Sequence, residues 1–425
     1  MDKHLVIATL IFLTLYGILI LDRFNRAVVS LLGATLVVFF GVLDQEKAIE
    51  GIDFNTIGLL VGMMVIVAVA QKTGMFQFLA IKSAKLAKGK PWGVMIMLGV
   101  VTAIVSALLD NVTTVLLIAP LTILFTEEMQ IDPYPFLFVE ILAANIGGTA
   151  TLIGDPPNIM IGSAVGLSFI DFVKNLTIPV IIIMVATLAC VYFLYGKGLK
   201  VDDGIRERIM RFNEWDAIQD RVLLNKCLIV LAIVILGFLF HHRLHLEAAT
   251  IALFGAALLL LITGDDVHDV ASRVEWTTIF FFAGLFVVVK GVVEVGLISM
   301  LANGLMGATG GDMAVTALSI LWVSAIASAF IDNIPFVATM IPLIKELGTQ
   351  MGGPEAIMPL WWALSLGACL GGNGTLIGAS ANVVVAGISE RAGRKIGFLE
   401  FMKMAFPLML LSIVISTVYI YLRYL

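Results

Sequence analysis

Apolar runs of about 20 residues recur along the whole chain, and each is long enough to cross a lipid bilayer as a helix. Only 13% of the 425 residues are charged, whereas soluble proteins carry about 25%. The first run, 5–21, lacks the basic start and the small-residue cleavage site of a signal peptide, so we interpret it as a membrane span. The sequence therefore predicts an all-α integral membrane protein with many spans.

Two apolar segments do not fit as ordinary spans. Segments 92–126 and 313–345 are 35 and 33 residues long, and an Asp-Asn pair interrupts each of them near the middle. We take each half as too short for a comfortable crossing, so both segments are predicted to be re-entrant helical hairpins. The ten remaining spans are predicted at 5–21, 27–43, 54–71, 134–165, 176–195, 226–241, 246–262, 276–293, 356–388 and 403–423.

The distribution of Lys and Arg gives an orientation, because cytoplasmic loops carry an excess of these residues. With the N-terminus outside and both hairpins re-entrant, 19 of the 26 basic residues fall in inside loops. This arrangement places both termini outside and gives the two halves opposite orientations. It predicts an inverted-topology repeat, 1–195 and 226–425, joined by an amphipathic cytoplasmic linker at 196–225 that forms a surface helix.

The sequence itself repeats in the same order. Ser106–Leu121 (SALLDNVTTVLLIAPL) and Ser328–Leu343 (SAFIDNIPFVATMIPL) share seven of sixteen residues. Gly147–Asn158 (GGTATLIGDPPN) and Gly371–Asn382 (GGNGTLIGASAN) share seven of twelve, at nearly the same offset. Ordered self-similarity of this kind indicates an internal duplication.

The second of these motifs predicts a broken helix in each half. Pro156 and Pro157 lack amide hydrogens, and the glycines lower the cost of unwinding. A kinked helix that packs closely through glycine is one explanation. Paired interruptions in two inverted halves instead favour a substrate site near the membrane midplane, because irregular backbone at that depth lines a cavity or is buried in protein. The predicted substrate-binding residues are Asn111, Asn145, Thr149, Thr151, Asn158, Asn333, Asn373, Thr375, Ser380 and Asn382.

Three acidic residues lie within these motifs. Asp110 and Asp332 stand at the hairpin tips, where an Asp can cap the helix that follows. Asn or Ser would cap without charge, and an acid inside a membrane usually marks an ion or proton path. Asp110, Asp332 and Asp155 are therefore predicted to couple transport to protons or a cation, although Ala379 occupies the place that matches Asp155. No certain metal site is predicted.

A polar hairpin tip, an apolar run with Pro and then GGTATLIGDPPN resemble the ion transporter superfamily. This superfamily includes divalent-anion/sodium symporters, citrate carriers, D-type sodium/proton antiporters, P-proteins and arsenite permeases. The GDPPN form most resembles the arsenite permease and P-protein branch. The tips here, Leu109-Asp110-Asn111 and Ile331-Asp332-Asn333, depart from the Ser-Asn-Thr of the dicarboxylate symporters. The resemblance implies a scaffold domain, a transport domain, an elevator-like motion and a homodimer.

The choice of solute follows from charge. The predicted site contains no Lys or Arg, so a cation or a neutral polyol fits it better than an anion. Proton-coupled export of arsenite or antimonite across the plasma (inner) membrane is the first hypothesis. Sodium/proton exchange is the second, and an anion carrier is the third. A channel is a further alternative, which saturable exchange against a proton gradient would exclude.

Other functional classes find no support in the sequence. The five His residues lie in loops or at span ends, and neither HExxH nor GxSxG occurs, so we predict neither an enzyme nor a cofactor. The chain has no Walker motif, so pumping driven by ATP would need a separate ATPase subunit. The expected partners are a small inorganic solute, protons or Na⁺ and the lipid bilayer, with no nucleic acid.

Overall fold

A computed structural model describes residues 3–21, 23–196, 198–199 and 202–425. These residues form 21 α-helices and no strand, which confirms the all-α fold, and nine of the helices are long and apolar enough to cross a membrane. The helices are α1 (Lys3–Leu21), α2 (Arg26–Phe39), α3 (Gln45–Glu50), α4 (Phe54–Gln71), α5 (Met75–Leu86), α6 (Pro91–Leu108), α7 (Asn111–Met129), α8 (Tyr134–Gly148), α9 (Pro156–Val165), α10 (Phe169–Val191), α11 (Asp203–Arg211), α12 (Arg221–Leu244), α13 (Ala248–Thr263), α14 (Val267–Ser272), α15 (Trp276–Glu294), α16 (Leu297–Thr309), α17 (Met313–Phe330), α18 (Asn333–Gln350), α19 (Met358–Gly371), α20 (Ser380–Arg391) and α21 (Phe398–Tyr424).

The hairpin segments contain longer helices than the sequence suggested. Helices α6 and α7 have 18 and 19 residues, and α17 and α18 have 18 residues each. At about 1.5 Å per residue, each is about 27 Å long, close to the thickness of the hydrocarbon core. Three of these helices, α6, α7 and α17, are long and apolar enough to cross, so the premise that each half is too short is wrong for them. Re-entry stays a prediction.

A short helix that the sequence did not predict precedes each hairpin. Gly74 and Gly296 both have φ of 79°, a left-handed conformation that glycine adopts without strain. Each glycine ends the preceding span and turns the chain into a short helix, α5 in one half and α16 in the other. Helix α5 was missed because Gln and Lys interrupt its apolar residues, and α16 was missed because its 13 residues are too few for a span.

The helices pack in two groups. In one group, α2 lies along α15 and α4 lies along α13. This packing is close: a Cβ on Gly62 would lie 2.6 Å from the carbonyl carbon of Ala252, and one on Gly284 would lie 2.5 Å from that of Ser30. In the other group, α6 packs on α8, α17 packs on α19, and α7 packs on α20. The second group thus holds each hairpin against an interrupted helix.

The linker does not form one helix. Helix α11 ends at Arg211, and a separate 3₁₀ turn follows at Glu214–Ala217, begun by an Asn213 cap. The turn packs on α5, where the Trp215 and Phe78 rings lie 4.9 Å apart between centroids. The helical spacing of apolar residues predicted one helix here, and that prediction is wrong. The Asn213 side chain accepts from the backbone amide of Trp215 and starts a new turn.

Candidate functional site

The predicted interruption of both long helices is confirmed. Helix α8 ends at Gly148 and α9 begins at Pro156, and α19 and α20 are separated in the same way. The Asn158 Nδ2 atom donates to the backbone oxygens of Thr149 at 3.1 Å and Thr151 at 2.9 Å. Asn382 Nδ2 donates to two carbonyls at its own break, at 2.7 and 2.8 Å. Both amides therefore satisfy carbonyls that the interruption leaves without helical partners.

The predicted threonines also bond to the backbone. Thr151 Oγ1 donates to the oxygen of Ala107 in α6, at 2.5 Å. Thr375 Oγ1 donates in the same way to the oxygen of Ala329 in α17, at 2.5 Å. Thr149 Oγ1 donates to the oxygen of Asn145 at 2.7 Å. These hydroxyls fix the interrupted segments and the hairpins, so their contacts are structural.

Asn145 joins the two halves. Its Nδ2 atom donates to the Oδ1 atoms of Asn373 and Asn382, both at 2.9 Å, and its Oδ1 accepts from Asn111 Nδ2 at 3.1 Å. All four side chains are buried. The structure thus brings four of the predicted site residues into one amide cluster that lies between the interruptions and the first hairpin tip.

Asp155 lies at the point where both hairpin tips meet. It is completely buried, and its carboxylate accepts from Asn111 Nδ2 and Asn333 Nδ2, each at 3.4 Å. The described residues include no Lys, Arg or His in an ion pair with it. Its amide hydrogen bonds are long, at 3.4 Å, and a buried acid without an ion pair is poorly compensated. It is therefore suited to bind a proton, a cation or a hydrogen-bond donor.

The two tip aspartates differ in their surroundings. Both cap a helix, since Asp110 Oδ1 accepts from the Thr113 amide at 2.8 Å and Asp332 Oδ1 accepts from the Ile334 amide at 3.0 Å. Asp332 Oδ2 also lies 2.5 Å from Arg26 Nη1 and accepts from Ser380 Oγ at 3.0 Å, and Arg26 Nη1 donates to Ser380 Oγ at 3.1 Å. The prediction that no basic residue reaches the site is therefore wrong, because α2 begins at Arg26 beside the second hairpin tip.

A cavity of about 170 Å³, which we call cavity 1, opens between these elements. The sequence missed Arg26 and Glu275, which come from the starts of α2 and α15. No local pattern marked them, since both stand at span ends where charged residues are common. No group of three or more His, Cys, Asp and Glu that could hold a metal occurs in the described part of the chain. The polar wall of cavity 1 consists mainly of Arg26, Asp110, Asn111, Asp155, Glu275 and Asn333.

Comparisons with known proteins agree with a transporter. Residues 16–367 match the family model described as citrate transporter, CitMHS. An uncharacterized transporter of Mycobacterium tuberculosis is 46% identical over 423 residues, which cover 99% of this chain and 98% of that protein. The human P protein is 35% identical over 99% of this chain, and the match covers 60% of the P protein.

Two solved structures share the fold. The YdaH transporter of Alcanivorax borkumensis has a TM-score of 0.55 at 16% identity, over 100% of this chain and 99% of that protein. MtrF of Neisseria gonorrhoeae, described as one of a class of antimetabolite efflux pumps, has a TM-score of 0.57 at 12% identity, over 100% and 95%. At these identities, the likeness concerns the fold alone.

Proposed function

The chain belongs to the CitMHS citrate transporter family of the ion transporter superfamily, and we propose that it exports arsenite or antimonite in exchange for protons. Its family and its structural neighbours are membrane transporters rather than enzymes. The proposal concerns the solute and the coupling ion. The observation that carries it is the charge of cavity 1.

Cavity 1 is acidic despite Arg26. The guanidinium of Arg26 lies 2.5 Å from Asp332. In the described part of the chain, no Lys, Arg or His forms an ion pair with Asp110, Asp155 or Glu275, whose carboxyl groups also line the wall. Three carboxylates repel an anion such as citrate, and desolvation makes that repulsion stronger. A neutral trihydroxide avoids the repulsion. Its O–H groups would donate to the carboxylates, and the amides of Asn111 and Asn333 would donate to its oxygens.

Coupling to protons follows from the same acids. Asp155 is buried and its carboxylate lacks an ion pair in the described part of the chain, so proton uptake there removes an unfavourable buried charge. Solute and proton then compete for one carboxylate, because a protonated Asp155 has one acceptor oxygen fewer for the solute. Competition at a shared group is sufficient to give exchange. Asp110 and Glu275, which are only half buried, would pass the proton between Asp155 and the cavity opening.

Sodium/proton exchange is the second candidate. Carboxylate and amide oxygens are hard ligands suited to Na⁺, and Asp155 lies within hydrogen-bond reach of Asn111 and Asn333. An anion carrier is the third. It would require Arg26 to leave Asp332 and face the solute.

The position of cavity 1 suggests how the solute moves. Its wall combines hairpin tips from one group of helices with Leu60, Met64 and Phe281 of α4 and α15 from the other group. We propose that the hairpins and interrupted helices form a transport domain, which slides against a scaffold that contains α2, α4, α13 and α15. A homodimer formed through the scaffold would keep the scaffold fixed in the membrane while the transport domain moves.

Transport in inside-out vesicles tests the proposal. With an imposed proton gradient, we expect arsenite to accumulate, and we expect a protonophore to abolish the accumulation. Asp155→Asn should abolish it as well. Asp312→Asn is the matched control, because Asp312 caps α17 by accepting from the Val315 amide at 2.8 Å and does not line cavity 1. Sodium exchange without arsenite movement would establish the second candidate, and uptake that ignores the proton gradient would contradict proton coupling.

A further inference from the structure

A second cavity, of about 360 Å³, lies beside the same two helices as cavity 1. We call it cavity 2. Along α4, Leu59 lines cavity 2 and the next residue, Leu60, lines cavity 1. Along α9, Pro156 lines cavity 1 and Ile159, one turn later, lines cavity 2. Both cavities therefore lie along the same two helices.

The two cavities face opposite ends of the molecule. Helices α4 and α13 run side by side in the same direction, since the Ala249 amide bonds to Asn55 at their starts and Lys72 pairs with Asp265 at their ends. Cavity 2 lies at the starts of these helices. Cavity 1 lies against later residues of α4 and against the start of α15, which follows the end of α13. Cavity 2 therefore lies nearer the side of the molecule at which α4 and α13 begin, and cavity 1 lies farther from that side.

Polar groups span cavity 2. Asn55 Nδ2 donates to Ser163 Oγ at 3.2 Å and to Glu247 Oε2 at 2.9 Å. Ser163 Oγ in turn donates to Asp53 Oδ1 at 2.9 Å. This chain of hydrogen bonds ties α9 to α4 and α13. Glu247 lines the cavity and no Lys or Arg is among the described residues that line it, so it disfavours anions.

His241 supplies a second, independent indication of a ligand. The side chain lines cavity 2 and is 9% exposed, and its Nδ1 atom lies 3.2 Å from the backbone oxygen of Leu246. A carbonyl oxygen only accepts, so Nδ1 carries the hydrogen, and in the neutral ring Nε2 is an acceptor. Nε2 is buried and has no partner in the described part of the chain. An unsatisfied buried acceptor costs free energy, which a donor on a bound solute would recover.

We propose that cavity 2 is a second binding site for the transported solute, on the side of the molecule opposite cavity 1. It takes a small neutral solute whose O–H groups donate to His241 Nε2 and to Glu247. This inference rests on the proposed function, since it assumes that the solute of cavity 1 continues along α4 and α9.

Equilibrium binding of radiolabelled arsenite to the purified full chain tests the inference. Arsenite binds thiols, so the three cysteines are first replaced by Ser in a background that retains transport. We expect two saturable sites per chain. His241→Phe should raise the Kd of one site about threefold to tenfold, the effect of one lost hydrogen bond to a buried acceptor. His241→Gln keeps a side-chain acceptor and should stay within about twofold of the parent.

Two further variants keep the outcomes distinct. Glu247→Gln removes the charge of an exposed side chain and keeps its size, and it should weaken the same site as His241→Phe. Asp155→Asn should weaken only the other site. A single site that Asp155→Asn weakens and His241→Phe does not would overturn cavity 2 as a binding site and leave the proposed function intact. Absence of saturable binding together with absence of arsenite transport would overturn both.

Discussion

Replacing Arg26 by Gln should destabilise the second hairpin tip, because it leaves the Asp332 carboxylate without its cation. The Arg26 side chain is 20% exposed and that of Asp332 is 6% exposed, so the pair is largely shielded from water. Removing one partner from a fully buried pair costs about 3–5 kcal/mol. Arg26 is partly solvated, and Asp332 keeps its bonds to Ser380 and to the Ile334 amide. We therefore expect the free energy of unfolding to fall by about 2–4 kcal/mol.

A double-mutant cycle isolates the interaction between the two charges. Asp332→Asn alone should cost less, about 1–2 kcal/mol, because the freed Arg26 head group can reach water. The double variant should recover much of the loss, which gives a coupling energy of at least about 1.5 kcal/mol. Unfolding by a denaturing detergent in mixed micelles measures each term. The exposed pair Lys395–Glu390, 3.6 Å apart, is the control and should couple by less than about 0.5 kcal/mol. Equal coupling for the two pairs would refute the argument that burial makes the Arg26–Asp332 bond strong.

Three other measurements examine the site, the close packing and the linker. Asp110→Asn should abolish arsenite uptake driven by the proton gradient. In Asp332→Asn, uptake should still depend on pH, because Arg26 already compensates the charge of Asp332. Measuring vesicle uptake at several external pH values distinguishes the two variants. Gly154→Ala should reduce the yield of folded protein, since its Cβ would lie 2.5 Å from two backbone oxygens, whereas Gly304→Ala meets no atom within 4 Å and should fold normally in size-exclusion chromatography. A hydrogen bond from Lys85 lowers the pKa of Glu214, so this bond stabilises the linker above the usual Glu pKa and is lost as pH falls through the lowered value. Lys85→Gln should therefore speed hydrogen exchange at 214–217 at about pH 7 and make little difference at about pH 3.

Sequence patterns predicted the features that depend on local chemistry. The interruptions at Gly148–Pro156 and after Gly371 follow from glycine and proline, which act within a few residues of their own position. The tip acids cap the helices that follow, as Asp does in many proteins. By contrast, the Arg26–Asp332 pair joins residues that are 306 positions apart, and no local pattern encodes such a contact. The same limit applies to Glu275, which reaches cavity 1 only because α15 begins beside the first hairpin tip.

The repeat also misled the interpretation of the acids. Asp110 and Asp332 are 222 residues apart and match in sequence, which favoured equal roles for them. At the same offset, however, Arg26 in one half corresponds to Ala248 in the other. The first half therefore supplies a cation to the tip of the second half, whereas no described residue forms an ion pair with Asp110 at the first tip. Asp155 is unmatched as well, since Ala379 stands at its counterpart.

These two asymmetries have a common consequence for coupling. The two hairpin tips that line cavity 1 come from the duplicated halves. If Asp110 and Asp332 had equal surroundings, both would have to titrate during each transport cycle. With Asp332 compensated by Arg26, we expect the proton that Asp110 passes to Asp155 to change the net charge at the meeting point of the tips. By the repeat, position 248 matches Arg26, but it lies beside cavity 2 and not at the first tip, which Asp110 forms. Ala248→Lys should therefore pair with a carboxylate beside cavity 2, where Ala248 lies, and leave Asp110 uncompensated. Arsenite uptake that keeps its dependence on pH in this variant is the expected result, and loss of that dependence would show that charge at the two cavities is coupled.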